Sequence, residues 1–255
     1  MVVLSGVLAV VAAFYVTSVL PTQWLDVQQV HLGLGIGKRM LQITDIHVEM
    51  LRISPSTVAN TVRRNHVDYV MWTGDFLTTD RKLKRVERYL TAVAETGVPM
   101  YAVLGNHDYR LRRIDGLVSL LNQYGVTLLR NQAVEMDGFW LVGVDDFTTR
   151  HSRVKEAFAG VPVNAKVVVI THDPNVVLNI PPLHFDYLMA GHLHGKQFNV
   201  PGLYWLKPMG ELPKLGVYKG LHQLPQGLIY ISKGLGQVGI NLRFLVRSEL
   251  TVHHL

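Results

Sequence analysis

Five short motifs in the sequence combine the side chains that bind divalent metal ions in proteins. Together they supply carboxylates, imidazoles and an amide, which are ligands of ions such as Mn, Fe, Zn and Mg. Five such motifs in one chain are typical of a metal-dependent hydrolase. In chain order they are Asp45-Ile46-His47, Gly74-Asp75, Gly105-Asn106-His107-Asp108, Thr171-His172-Asp173 and Gly191-His192-Leu193-His194.

A run of apolar, mostly β-forming residues precedes each motif or overlaps its first residue. Such runs predict strands. Ligand sites of open α/β sheets lie at the carboxyl ends of their strands, so we expect five strand ends to bring the motifs to one edge. The predicted strands are residues 40–44, 69–73, 100–104, 167–171 and 187–190.

Two aspartates, one asparagine and four histidines form the candidate ligand set. Residues two apart on a strand point the same way, so Asp45 and His47 can share one ion. The Asp75 carboxylate has two oxygens and can bridge two ions. The inventory suits two divalent ions about 3.5–4 Å apart. The set is Asp45, His47, Asp75, Asn106, His172, His192 and His194.

His107 is predicted to act in catalysis rather than in metal binding. Adjacent side chains point different ways, so His107 is a poor co-ligand of Asn106 and a good candidate to donate a proton to a leaving oxygen. Asp108, or another carboxylate, is expected to orient its ring. The remaining histidines lack such a context and are interpreted as surface or structural residues. They are His31, His66, His151, His184, His222, His253 and His254.

Three arginines, Arg110, Arg112 and Arg113, directly follow the third motif. We expect them near the site, where they can reach a substrate phosphate; a solvated helix surface is the alternative. The net charge of +6 fits an anionic substrate or surface without identifying one. The basic residues are not interleaved with aromatic ones as a stacking groove requires, so we do not expect nucleic acid binding.

The composition indicates a folded protein. A chain of 255 residues can form one α/β domain or two small ones, and 48% hydrophobic residues argue against disorder. The absence of cysteine excludes disulfides, thiolate catalysis and cysteine-based zinc sites. Metal ligands must therefore be histidine, carboxylate and amide groups.

Residues 1–20 carry no charged side chain, and about 20 apolar residues are what a helix needs to cross a bilayer. A cleaved signal is one alternative, but no basic residue precedes Lys38 and the cleavage site is poor. A buried core helix is another. We predict an uncleaved anchor, residues 1–21, followed by a connector, 22–39, and a catalytic domain, 40–255. Lys38 and Arg39 favour a cytoplasmic domain.

The first half of the catalytic region alternates strands and helices. Helices are predicted at 54–65, 81–96 and 115–124, with Ser54 and Asp80 as N-caps and with Gly97 and Gly125 as stops. An extended segment, 27–34, precedes them. This succession predicts a parallel core sheet.

The second half is richer in short strands. They are predicted at 127–129, 133–136, 139–144, 227–232 and 249–253, in addition to the two that carry the histidine motifs. Asp137-Gly138 predicts a two-residue hairpin turn between the second and the third. We therefore expect a sandwich of two mixed sheets flanked by helices.

The order of the five motifs, from Asp45 to His194, resembles that of the calcineurin-like metallophosphoesterase superfamily. The resemblance implies a four-layer α/β/β/α sandwich with a binuclear centre at the sheet edges. It assigns one metal to Asp45, His47, Asp75 and His194, and the other to Asp75, Asn106, His172 and His192, with Asp75 as the bridge.

Further segments resemble a membrane-linked bacterial subfamily of phosphodiesterases, which includes UDP-2,3-diacylglucosamine hydrolases of lipid A synthesis. These segments are residues 143–146, 171–174 and 232–236, and Arg243-Phe244. Val48-Glu49 and Lys196 depart from the pattern. Neither departure involves a ligand, but both bear on the substrate mouth.

The resemblance implies a metal-dependent phosphoric ester hydrolase in which water activated by two cations attacks phosphorus. The expected substrate is a lipid-linked or cell-envelope phosphodiester or pyrophosphate, with UDP-2,3-diacylglucosamine as one candidate, because an anchor confines the site near the bilayer. The alternatives are a broad-specificity phosphodiesterase or phosphomonoesterase and a non-catalytic scaffold that retains the fold.

Overall fold

A computed structural model describes residues 2–182, 184–200 and 209–255. Residues 1, 183 and 201–208, which belong to the predicted anchor and the predicted catalytic domain, lie outside the described structure. The description of side chains begins at Leu4.

Two six-stranded mixed sheets form the centre of the described structure, as predicted. In the first sheet, the four strands β2 to β5 are parallel, and β12 lies antiparallel to β2 and parallel to β1. Its spatial order is β1 (Leu25–His31), β12 (Ser248–His254), β2 (Arg39–Ile43), β3 (Tyr69–Thr73), β4 (Met100–Val103) and β5 (Val126–Leu128).

The second sheet has a parallel centre and antiparallel outer pairs. Its order is β10 (Gly220–Leu224), β11 (Gly227–Ile231), β9 (Tyr187–Ala190), β8 (Val167–Ile170), β7 (Phe139–Gly143) and β6 (Gln132–Met136). Strands β6 and β7 meet at the predicted Asp137-Gly138 turn, where Met136 pairs with Phe139. Strand β10 was not predicted.

Helices cover the outer faces of both sheets. They are α2 (Pro55–Asn65), α3 (Leu83–Ala94) and α4 (Ile114–Gln123) on the first sheet, and α5 (Val154–Ala157) and α6 (Glu211–Lys214) on the second. A further helix, α1 (Val2–Phe14), belongs to the exposed N-terminal stretch. The layer outside the second sheet is thin, because α5 and α6 each have only one turn. The predicted α/β/β/α order of layers is confirmed.

Strand β2 shows how the sequence builds these layers. Leu41 and Ile43 pack with α2, α3 and α4 on the outer face of the first sheet, whereas Met40 belongs to the apolar cluster between the sheets. Gln42, which lies between Leu41 and Ile43 in the sequence, also points at the second sheet. Its side-chain amide donates to the Ala190 carbonyl at 2.9 Å. Because side chains alternate along a strand, one five-residue segment contributes to two cores.

Two predicted helix starts had different outcomes. Ser54 caps α2, since its hydroxyl accepts from the Thr57 amide at 3.1 Å. The prediction that Asp80 caps α3 was wrong: Asp80 begins a 3₁₀ turn before the helix. Its carboxylate instead accepts the backbone amides of Arg112 and Arg113 at 3.2 and 3.0 Å, which ties α3 to the loop before α4.

The N-terminal helical stretch Leu4–Thr22 is long and apolar enough to cross a membrane, and most of it is exposed. The extended segment predicted at 27–34 overlaps β1, which ends at His31 and pairs along all its residues with β12. The segment predicted as a connector therefore contributes an edge strand to the first sheet.

A buried hydrogen-bond chain joins the two sheets. Tyr187 of β9 lies 2.7 Å from His253 Nδ1, and His253 Nε2 lies 3.1 Å from Gln42 Oε1. Burial lowers the pKa of His253 to about 3, so the folded protein holds this ring neutral.

We predict that His253 makes stability fall at acidic pH. Its pKa is lower in the folded state than in the unfolded chain, so between about pH 6.5 and 3 the unfolded chain binds the extra proton and gains stability as the pH falls. His253→Gln should remove about 2 kcal/mol of the loss between pH 6.5 and 5, as measured by urea denaturation. Tyr187→Phe keeps the imidazole, so it should lower stability without flattening the pH dependence; equal slopes for His253→Gln and the wild type would contradict the prediction.

Candidate metal centre

The five motifs meet at one place because of how the strands are paired. β2, β3 and β4 are parallel neighbours in the first sheet, and β8 and β9 are parallel neighbours in the second. Within each sheet, the carboxyl ends of these strands therefore lie at the same edge. The His172 Nδ1 atom lies 2.9 Å from the Thr73 carbonyl oxygen across the gap, so the two edges form one buried crevice.

One cluster of ligand-type atoms contains Asp45, His47 and His194, all buried. The His194 Nε2 atom lies 3.3 Å from Asp45 Oδ1, and the His47 and His194 rings are stacked with centroids 5.2 Å apart. Residues that are far apart in the sequence thus present nitrogen and oxygen atoms to one point.

A second cluster contains Asp75, His172 and His192, also buried. The His172 Nε2 atom lies 3.2 Å from Asp75 Oδ2, from His192 Nδ1 and from Asn106 Oδ1. Asp75 also belongs to the surroundings of the first cluster, because its Oδ2 lies 3.3 Å from His47 Nε2. The structure therefore brings all seven predicted residues together, with Asp75 between the two clusters.

The backbone is strained where it carries these groups. Asp45, Asp75 and His192 have φ values of 50°, 56° and 71°, in the left-handed region that non-glycine residues rarely adopt. Hydrogen bonds hold the conformation: the Asp45 amide donates to the Gly74 carbonyl at 3.0 Å. Gly105 approaches so closely that a Cβ atom there would collide with the Asp75 carboxylate.

The buried carboxylates and imidazoles of the site shift each other's pKa values. Burial raises the pKa of Asp75, but the His172 and His47 rings outweigh it and hold the pKa well below its usual value. In return, although burial lowers the pKa of His172, Asp75 keeps it well above its usual value. For His194, burial outweighs the neighbouring Asp45 charge and lowers the pKa to about 3.

His107 lies beside the clusters, half-buried. Its backbone amide donates to Asp75 Oδ1 at 2.8 Å, and its ring meets that of His47 edge-on with centroids 4.8 Å apart. Its Nδ1 lies 3.4 Å from the Thr78 hydroxyl. Burial lowers the pKa of His107 to about 4, so the ring is neutral at neutral pH unless a bound anion raises that value.

Asp108 does not occupy the predicted position beside the His107 ring. Its fully buried carboxylate accepts backbone amides of Gly105, Asp75 and Phe76, each at 2.9 Å. Burial, with the nearby Asp75 charge, raises the pKa of Asp108 to about 7. Asp108 therefore holds the second and third motifs together, and the prediction that it orients His107 is corrected.

An open cavity of about 1060 Å³ lies in front of the clusters. Of the three predicted arginines, Arg110 lines it. Arg112 and Arg113 are exposed and do not belong to the described lining, because the chain turns away there into α4. Arg150 and Arg153, which were not predicted, also line it. They follow β7, whose carboxyl end shares the edge of β8, but only the strand pairing reveals this.

A family model for calcineurin-like phosphoesterases matches residues 38–196, which include all five motifs. The chain belongs to this family. It is thus a metal-dependent phosphoric ester hydrolase, and the resemblance described from the motifs is confirmed.

Relatives of this phosphoesterase agree with the assignment. An uncharacterized metallophosphoesterase of Bacillus subtilis, YkoQ, is 36% identical over 233 residues, which cover 88% of this chain and 86% of YkoQ. The UDP-2,3-diacylglucosamine pyrophosphatase LpxG of Chlamydia trachomatis is 24% identical, with 78% of each chain covered. The crystal structure of TT1561 of Thermus thermophilus shares the fold, with a TM-score of 0.52, 10% identity, and 78% and 90% of the two chains covered.

Arg243 supports the first cluster of this phosphoesterase from behind. Its fully buried guanidinium donates to the carbonyl oxygens of Lys233, Gly234 and Gly236 at 2.9, 2.9 and 2.5 Å. The Gly236 amide in turn donates to the Asp45 carbonyl at 2.7 Å. Burial lowers the pKa of Arg243 to about 10, so it stays charged at neutral pH.

Arg243→Met should lower the free energy of unfolding by about 2–5 kcal/mol, because the buried carbonyl oxygens of the 233–236 loop lose their donor. Chemical denaturation measures this loss. Arg247→Met is the matched control: its guanidinium is partly exposed and pairs with Asp26 at 3.0 Å, so the cost should stay below about 1 kcal/mol. A loss no larger than that of the control would show that the loop does not depend on Arg243.

Proposed function

We propose that the chain hydrolyses a phosphodiester or pyrophosphate bond of a lipid-linked or cell-envelope substrate, using two divalent metal ions. One observation carries the two-metal part of the proposal: Asp75 lies between two separate clusters of buried ligand-type atoms. The name of the LpxG relative supports UDP-2,3-diacylglucosamine as a candidate substrate.

The residues fit such ions. The donors are imidazole nitrogens and carboxylate or amide oxygens, which suit Mn, Fe, Zn or Mg. The buried His47 Nε2 has no hydrogen-bond partner among the described residues and lies 3.3 Å from Asp75 Oδ2, as expected of two ligands of one ion. We assign one ion to Asp45, His47, Asp75 and His194, and the other to Asp75, Asn106, His172 and His192.

The cavity residues have distinct roles in this proposal. When bound, the two ions activate water and stabilise charge on the phosphoryl oxygens. Arg110, Arg150 and Arg153 bring positive charge to the cavity wall and bind the phosphate groups that flank the reacting bond. His107 gives its proton to the leaving oxygen, because the negative charge of the substrate raises its pKa.

The membrane part of the proposal rests on the helical stretch Leu4–Thr22, which we assign as an uncleaved anchor. It keeps the catalytic region at the bilayer, and the basic residues Lys38 and Arg39 after it favour the cytoplasmic side.

Comparing turnover of bis(p-nitrophenyl) phosphate with that of p-nitrophenyl phosphate separates the proposed diester activity from a phosphomonoesterase.

Asp75→Ala should abolish hydrolysis of bis(p-nitrophenyl) phosphate and empty both metal positions, because a shared carboxylate serves both ions. Metal analysis of the purified protein should fall from two ions per chain to less than one. Asp137→Ala, in the exposed hairpin turn, is the control and should keep both ions and full activity. Two ions bound to Asp75→Ala would show that Asp75 is not the bridge.

His107→Ala should keep its metal content while turnover falls about 10²–10⁴-fold, the usual effect of losing a general acid. The loss should be smaller for p-nitrophenyl than for phenyl diesters, because nitrophenolate leaves without a proton. The exposed His184→Ala should change neither. His107 also lies within reach of His47 and Asp75, so loss of a metal ion would assign it as a ligand instead. Equal losses for both leaving groups would contradict the acid role.

A further inference from the structure

The end of the N-terminal helical stretch is fixed to the catalytic region. The carbonyl oxygens of Thr17 and Ser18 accept the backbone amides of Leu245 and Arg243 at 3.0 and 2.9 Å. Farther along, the Thr22 hydroxyl accepts from Arg52 at 2.8 Å, and Thr22 is fully buried. The helix therefore cannot move independently of the surface around Leu245.

The length of the stretch sets the depth of that surface in a membrane. Leu4–Thr22 has 19 residues, which span about 28 Å as a helix, close to the roughly 30 Å of the hydrocarbon core. We place this stretch across the core, with Thr22 at one boundary. Thr17 precedes Thr22 by five residues, or about 7 Å of helix, so the segment bonded to Thr17 must enter the headgroup region.

Several apolar side chains are exposed on the segments around Leu245. Leu245 is 59% exposed, and Ile240, Trp24 and Val200 are 59%, 55% and 42% exposed. Their loops are connected: the Asn199 amide donates to the Phe244 carbonyl at 3.2 Å. We call Trp24, Val200, Ile240 and Leu245 the membrane-facing patch. Apolar side chains exposed together at a membrane boundary are stabilised by entering it.

Arginines border this patch. The Arg247 guanidinium lies 4.9 Å above the Trp24 ring, and Arg52 is exposed beside Thr22. Tryptophan is enriched at the membrane–water interface, and basic residues at that level attract anionic headgroups. The chemistry of the border therefore matches a bilayer that contains anionic lipid.

The cavity opens beside the patch. Val238 lines the cavity, only two residues before Ile240, which is at most about 7 Å of chain. The Gln197 amide donates to the carbonyl oxygens of both, at 3.0 and 3.1 Å, and so fixes their spacing. The exposed apolar residues Leu178 and Met209 also line the cavity.

We propose that the membrane-facing patch inserts into the headgroup layer of an anionic bilayer and holds the cavity mouth at the bilayer surface. A lipid-linked phosphate then reaches the metal centre while its acyl chains stay in the bilayer. This inference rests on the proposed anchor and adds a second membrane contact, made by the catalytic region itself.

The chain has no cysteine, so single cysteines can report the depth of chosen positions. Full-length Ile240→Cys and Leu245→Cys, labelled with a polarity-sensitive fluorophore, are placed in phosphatidylcholine–phosphatidylglycerol vesicles that carry headgroup-level nitroxide lipids. Val16→Cys, in the exposed part of the helical stretch, is the positive reference. Val163→Cys, a fully exposed position before β8, at the opposite end of that strand from the site, is the negative control.

Labels at residues 240 and 245 should be quenched as the label at residue 16 is, and the label at residue 163 should not be quenched. Quenching at residue 16 alone would overturn the patch and leave the anchor intact. No quenching at any position, with protein that fails to float with the vesicles, would overturn both the anchor and the patch.

Activity provides an independent readout. Ile240→Glu combined with Leu245→Glu should lower turnover of a long-chain alkyl p-nitrophenyl phosphodiester in vesicles several-fold, because charge opposes insertion. Turnover of soluble bis(p-nitrophenyl) phosphate should not change, since neither residue lines the described cavity. Val163→Glu should match the wild type on both substrates. An unchanged rate of the double variant in vesicles would contradict the proposal.

Discussion

The position of the Asp75 carboxylate is the constraint on which the rest of the site depends. One of its oxygens accepts the His107 amide at 2.8 Å, and the other lies 3.2–3.3 Å from the rings of His172 and His47. A buried carboxylate is costly unless positive charge and hydrogen-bond donors surround it. The structure meets this requirement with two imidazoles from different sheets, so the charge of one residue holds two sheet edges together.

Such a site demands rigidity from its surroundings. Five of the seven clustered residues have a positive φ, and such conformations persist only where neighbouring contacts determine them. Here the apolar cluster between the sheets supplies part of that support, and the buried chain from Tyr187 through His253 to Gln42 adds directional contacts. Asp108 contributes as well, because its bonds to backbone amides connect the two loops that present Asp75 and Asn106. Residues outside the clusters therefore determine how accurately the clustered side chains meet.

Local sequence patterns predicted much of this molecule. The alternation of strands and helices, the Asp137-Gly138 turn and the seven clustered residues follow from periodicity, turn chemistry and spacing. The pairing of β1 with β12 and the place of Arg150 and Arg153 did not follow, because each depends on contacts between segments far apart in sequence. Asp108 shows a different limit: its neighbour His107 suggested a role, but the direction of a side chain depends on the tertiary fold. Strand β10 lacks the apolar character that marks a buried strand.

The order of strands in the first sheet also bears on how the protein is made. β12 lies between β1 and β2, although more than 200 residues separate it from either in the sequence. During synthesis, β1 and β2 are therefore made before the strand that pairs with both of them. At that stage Arg243 is not yet present behind the Asp45 loop. The first sheet closes only when the late segment has left the ribosome, by which time the N-terminal helical stretch has long emerged. We therefore expect the site to be completed only after β12 has been synthesised.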